Sequence, residues 1–163
     1  MSEATPAPEV VLNMPALAEG VGVVRQALAG LADALAFDPA VLSDMKMAVT
    51  EACTNVVVHA YEDEPGELEV AMVAGEDDLT IVVRDHGSGI TPKPARTEPP
   101  ALGLGLPLIA ALTDAFELKG SAGHGTEVRM TFAYLRDRDP AEANPVDGQV
   151  GSDGRWKPGE PPA

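Results

Sequence analysis

PAVLSDMKMAVTEACTNVVVHA, residues 39–60, carries Leu42, Met45, Val49, Ala52, Cys53, Val56 and Ala60 at intervals of three and four. That spacing lines one side of a 3.6-residue helix with apolar groups and predicts an amphipathic helix across the whole stretch. Asp38 and Pro39 fit its N-cap and first helical position. Glu51 and Asn55 are four residues apart, so they share a face. A carboxylate one turn from a carboxamide suits a proton acceptor beside a metal ligand. The other reading of the same pair is a solvated helix surface.

On the N-terminal side, residues 1–9 are small, acidic and proline-bearing, the composition of a loose end. Val10 to Met14 read as a short edge strand. Residues 16–36 read as a first helix, with Leu17, Val21, Val24, Leu28, Leu31 and Leu35 as its buried stripe. Gly20, Gly22 and Gly30 weaken it, each by about 1 kcal/mol against alanine in a helix interior. Arg25 falls off the stripe and reads by default as a solvated charge, the alternative being a place on a partner-contacting face of this helix.

On the C-terminal side, Glu62 to Gly66 form an acidic turn. Residues 67–74 and 79–85 read as two strands of a hairpin. Pro92, Pro94, Pro99 and Pro100 forbid a regular element over residues 91–102 and mark a loop. A helix over 103–113 follows, with Pro107 in its first turns. Residues 115–120 and 125–134 read as a last strand pair. From Arg136 to the end, prolines and glycines alternate with charges, and the composition predicts a disordered tail over 136–163 with Trp156 as its only large apolar group.

Three glycine-bearing words punctuate this pattern. RDHGSGI (84–90) places D-x-G-x-G at the end of an apolar strand. LGLGLPLI (102–109) places Gly103 and Gly105 at a helix start, where free amides and the positive dipole end favour phosphate oxygens. GHGTEVRMTF (123–132) places Gly125 and Thr126 at a strand start. Each word also has a bland reading: a turn-starting Asp85, an ordinary turn at Gly87 and Gly89, a flexible Gly103-x-Gly105, a strand-initiating threonine.

Taken in order, E-x-x-x-N, D-x-G-x-G, G-x-G and G-T resemble the ATP-binding fold shared by gyrase, the ninety-kilodalton heat-shock chaperone, histidine kinases and MutL, the GHKL or Bergerat ATPases. AVTEACTNVVVHAYED is most similar to one branch, the anti-sigma-factor serine/threonine protein kinases. The resemblance spans roughly residues 10–135. It implies an α+β fold, a two-layer α/β sandwich in which helices cover one face of a mixed, mostly antiparallel sheet.

It also implies roles. Asp85 would accept the adenine amino proton, with Thr126 in the same polar network and Gly87 and Gly89 letting backbone approach the base. Gly103 and Gly105 would grip phosphate, and residues 91–102 would be the ATP lid. Asn55 would hold Mg²⁺, a hard cation that prefers oxygen. Glu51 would take the proton from a serine or threonine hydroxyl, a contribution of about 10²–10⁴-fold. The implied partners are a sigma factor, which the protein sequesters, and an anti-sigma antagonist, which it phosphorylates, with a homodimer as the implied assembly. The alternative is a module that binds nucleotide and partner without transferring phosphate. Lys93 and Arg96, the only bases in the lid, would either meet the triphosphate or serve loop solubility. His59, a further turn along from Asn55, reads as a local structural residue, and His86 and His124 suggest no shared site.

Composition narrows the classes further. A chain of 163 residues is the size of one domain with a full core. Its formal charge of −15 opposes non-specific nucleic-acid binding and anionic membrane surfaces. Cys53 is the single cysteine, which excludes an internal disulfide and a cysteine zinc site and suits a small core residue. No signal peptide or membrane-spanning run is evident, so a cytoplasmic location is expected.

Overall fold

The computed structural model describes residues 9–89, 105–134, 148–150 and 156–158. Strand β1 (Glu9–Pro15) leads into helix α1 (Ala18–Ala34) and helix α2 (Pro39–Asn55), which runs on as a π-helical turn over Val56–Ala60. Strands β2 (Glu67–Ala74) and β3 (Asp78–Asp85), helix α3 (Gly105–Leu112), and strands β4 (Ala115–Gly120) and β5 (Thr126–Ala133) complete the layered unit.

The five strands form one sheet in the order β1-β2-β3-β5-β4. A mixed, mostly antiparallel sheet was expected; all four pairings are antiparallel. Period-two alternation turns Leu68, Val70 and Met72 of β2, Leu79, Ile81 and Val83 of β3, and Val128, Met130 and Phe132 of β5 to one buried face. Helices α1, α2 and α3 close that face with Val24, Leu28, Met45, Val49, Cys53 and Ile109. The opposite face carries charge: the Arg84 guanidinium lies 2.5 Å from Glu69 and 2.7 Å from Glu127. The Arg84 hydrogen bond holds Glu127 below the usual carboxylate range, and the two pairs link β2, β3 and β5 at the end where β3 finishes.

Helix α2 starts where its sequence says it should. The Asp38 carboxylate accepts from the Ala40 amide at 2.8 Å, and Pro39 fills the first turn. Its end differs from expectation. The single helix predicted to Ala60 is α-helical only to Asn55, and the next five residues widen to π geometry. Val56, Val57 and Val58 are consecutive β-branched residues, whose fixed χ1 rotamers crowd an α-helical turn.

Helix α1 is shorter than the predicted 16–36. Leu17 is its N-cap and is exposed rather than part of the buried stripe, and Ala36 adopts φ 54° in the left-handed region. The Phe37 amide then bonds back to the Ala32 carbonyl at 3.1 Å, and the Phe37 ring packs edge-on against Tyr134 with centroids 4.7 Å apart. This contact ties the α1–α2 corner to the far end of β5.

Outside this unit, β6 (Gly148–Val150) and β7 (Trp156–Pro158) pair antiparallel, Val150 opposite Trp156. Composition predicted no regular structure there. Among the described residues no helix is long and apolar enough to cross a membrane.

Candidate nucleotide site

The antiparallel register of β3 and β5 sets Thr126 directly opposite Asp85. Residues 41 positions apart thereby meet at one end of the sheet. Asp85 is 6 % exposed. Its carboxylate accepts from the Gly87 amide at 2.9 Å and from both the backbone and the hydroxyl of Thr126. Burial pushes the carboxyl upward, and those hydrogen bonds, with His86 nearby, oppose the shift.

The turn after Asp85 is tightly enclosed on two sides. On one, the Ser88 amide bonds to the Ala60 carbonyl at 2.9 Å. A Cβ on Gly87 would fall 2.6 Å from the Ala60 carbonyl carbon, closer than real Cβ atoms come. On the other side, the Gly123 amide bonds to the Ser88 carbonyl at 2.8 Å. Gly125, at φ 78°, lies so close to the Asp85 backbone that a Cβ would sit 2.9 Å from its carbonyl carbon. The glycines of the second and fourth words therefore serve close backbone approach.

Helix α3 brings the third word to α2. A Cβ built on Gly105 would meet Glu51 Oε2 and Asn55 Nδ2 at 3.4 Å and Asn55 Oδ1 at 3.5 Å. The first residue of α3 thus faces the carboxylate and the carboxamide together, and the absent side chain leaves the space between them open. Glu51 and Asn55 are both half-buried. Cys53, between them in sequence, points the other way into the core and is fully buried, which pushes its thiol up to about 12.

The structure therefore gathers Glu51, Asn55 and Gly105 at one place and Asp85, Gly87, Gly89 and Thr126 at another. The α2 end joins them, because the Ala60 carbonyl that bonds Ser88 belongs to the helix that carries Glu51 and Asn55. Gly103, Lys93 and Arg96, with the rest of the expected lid, lie outside the described residues. A cleft of about 540 Å³ opens at the Asp85–Thr126 end, lined also by His86, Lys119, Ser121 and His124. It includes neither Glu51 nor Asn55 and lies partly on the charged face of the sheet, so it is a neighbour of the site rather than the site itself.

His59 follows the change to π geometry and is exposed. Among the described residues no cluster of three histidine, cysteine or acidic side chains could hold a metal. The half-buried Asn55, expected to hold the metal, presents its amide oxygen beside Gly105. A carboxamide oxygen fits a magnesium ion, a hard cation that keeps most of its waters. Tyr61 and Ala60 were not legible as site residues; their contacts run through a phenol and a backbone carbonyl, which leave no spacing pattern.

This arrangement is that of a nucleotide-binding α+β domain, and the chain belongs to the histidine kinase-like ATPase domain family, whose profile matches residues 14–132. It is 34% identical over 151 residues to the serine-protein kinase RsbW of Bacillus mycoides (strain KBAB4), a match covering 85% of this chain and 92% of the relative. A serine-protein kinase RsbW of Bacillus cereus (strain Q1) is 33% identical over 150 residues, with the same coverage. Among solved structures, the RsbU and RsbW domains of Rv1364c from Mycobacterium tuberculosis share the fold. That match has a TM-score of 0.63 at 23% identity, over 82% of this chain and 35% of that one.

Proposed function

We propose that this protein is an ATP-dependent serine/threonine protein kinase that also acts as an anti-sigma factor. The observation that carries the reading is the meeting of Glu51, Asn55 and Gly105, in a chain most of whose length is shared with serine-protein kinases. A base, an oxygen donor and a helix start facing one open space are what phosphoryl transfer from a nucleotide requires.

Asp85 accepts the adenine amino proton, and its partner Thr126 fixes the carboxylate while Gly87, Gly89 and Gly125 let backbone lie against the base. Gly103 and Gly105 offer amides to the phosphates at the start of α3. Asn55 would hold Mg²⁺ through Oδ1; when bound, the ion neutralises phosphate charge. Glu51 takes the proton of the attacking serine or threonine hydroxyl. The hydroxyl oxygen bonds to the γ-phosphorus as the bond to the β-phosphate bridging oxygen breaks, leaving ADP and a phosphorylated antagonist. The unmodified antagonist is the acceptor, and a sigma factor is the partner held in the alternate state. The working assembly is a homodimer in the cytoplasm.

Incubation with γ-labelled ATP and the anti-sigma antagonist tests the assignment. Glu51→Ala is expected to abolish label transfer, by about 10²-fold or more, and to leave ATP bound, whereas Asp85→Asn weakens binding itself. The reverse pattern overturns these roles.

A further inference from the structure

Tyr61 stands at the exit of the π-turn, and its phenol oxygen makes two bonds at once. It accepts from the His86 amide at 2.9 Å and donates to the Glu67 carbonyl at 2.6 Å. His86 directly follows Asp85, and Glu67 opens β2, so one hydroxyl ties the turn beyond the buried carboxylate to the start of a neighbouring strand. The ring is seated as well: a Cβ on Gly66 would lie within 2.5 Å of Tyr61 Cδ1, so Gly66 leaves the space the ring fills. One residue earlier, the Ala60 carbonyl accepts from Ser88 at 2.9 Å. The end of the helix that carries Glu51 and Asn55 thus grips residues 86–88 by two hydrogen bonds. The π-turn is what delivers it there; inserted π geometry is often found at functional sites.

We infer that Tyr61 is a positioning residue for nucleotide recognition: its hydroxyl fixes the His86 amide and, through it, the direction in which Asp85 meets the base. The inference rests on the role proposed for Asp85. It makes the π-turn a strut between the base-recognising and phosphate-transferring ends of the site. Without the hydroxyl, Asp85 keeps its strand pairing to Leu68 and Thr126 and Ser88 keeps its bonds to Ala60 and Gly123, but the His86 amide loses its partner and the backbone just beyond the carboxylate is held less firmly.

The test compares Tyr61→Phe with the wild-type chain, since phenylalanine keeps the ring over Gly66 and removes only the oxygen. Dissociation constants are measured for ATP and for purine riboside triphosphate, which differ only in the 6-amino group. The wild type is expected to prefer ATP, and Tyr61→Phe to lose on the order of tenfold in ATP affinity while binding the analogue within about twofold of wild type. Equal losses for both nucleotides, or an unchanged preference, overturn the positioning role. If the wild type itself shows no preference, the proposed role of Asp85 fails instead. Amide hydrogen exchange on the wild-type chain gives a second readout that needs no variant. The His86 amide is expected to be protected although the residue is exposed, and exchange at the unprotected rate overturns the strut.

Discussion

Gly87→Ala is expected to damage fold and nucleotide binding together, for reasons the geometry quantifies. The added methyl would stand 2.6 Å from the Ala60 carbonyl carbon and 2.9 Å from its Cβ. Carbon atoms pack at about 3.5 Å or more, so the turn and the end of α2 must part by about 1 Å. That opening stretches the Ser88–Ala60 hydrogen bond, now 2.9 Å, beyond useful length. Overpacking of this kind costs about 1–3 kcal/mol, and the lost bond adds about 1 kcal/mol. The sum, about 2–4 kcal/mol, corresponds to a fall in Tm of about 5–15 °C for a domain of this size. Circular dichroism melts read the stability, and titration with a fluorescent ATP analogue reads the site. A Tm within about 2 °C of wild type with unchanged nucleotide affinity would show that the turn does not lean on α2 as described.

Gly105→Ala should behave oppositely. The methyl lands in ordinary contact, 3.4 Å from Glu51 and Asn55, and at the first residue of α3 alanine gains only part of the roughly 1 kcal/mol that separates it from glycine in a helix interior. Melting is therefore expected to hold or rise slightly, while triphosphate affinity falls about tenfold or more as the open space closes; parallel losses would contradict this. Burial raises Asp85, so its ionisation opposes folding: the stabilising contribution is present at low pH and lost as pH rises through the folded value. Asp85→Asn is accordingly expected to raise the neutral-pH Tm of the nucleotide-free protein while weakening ATP by about 10- to 100-fold. In the wild type, ATP affinity should begin to fall on acidification above the ordinary carboxylate value of about 3.9, as calorimetry across pH would read. Cys53, with its thiol pushed up to about 12 in the core, should resist iodoacetamide in the native protein and react once guanidinium unfolds it; native labelling at the unfolded rate would contradict its placement.

Elements whose cause is local were legible from the residues alone. Asp38-Pro39 announces the start of α2, alternation marks β2, β3 and β5, and the i, i+4 spacing puts Glu51 beside Asn55. The departures have causes that periodicity does not carry. Three valines carry α2 into a π-turn without breaking its apolar pattern, so the helix looked continuous to Ala60. Ala36 takes a left-handed conformation usually left to glycine, because the Phe37 ring and the Ala32 carbonyl hold the chain there. The pairing of β6 with β7 was hidden by composition averaged over the tail. In the site, Asp85 and Thr126 could be named from their motifs, but their direct pairing depends on β5 entering the sheet between β3 and β4. Tyr61 was invisible for a different reason: it works through two backbone groups that any residue could supply.

The account stands on the proposal that α2, α3, β3 and β5 contribute to one nucleotide site. Titrating the ¹⁵N-labelled protein with ATP and magnesium while following backbone amide resonances tests it most directly. Glu51, Asn55, Asp85, Gly105 and Thr126 are expected to shift together along a single one-site isotherm. Shifts confined to the Asp85–Thr126 end, or none at either end at saturating nucleotide, would contradict a common site.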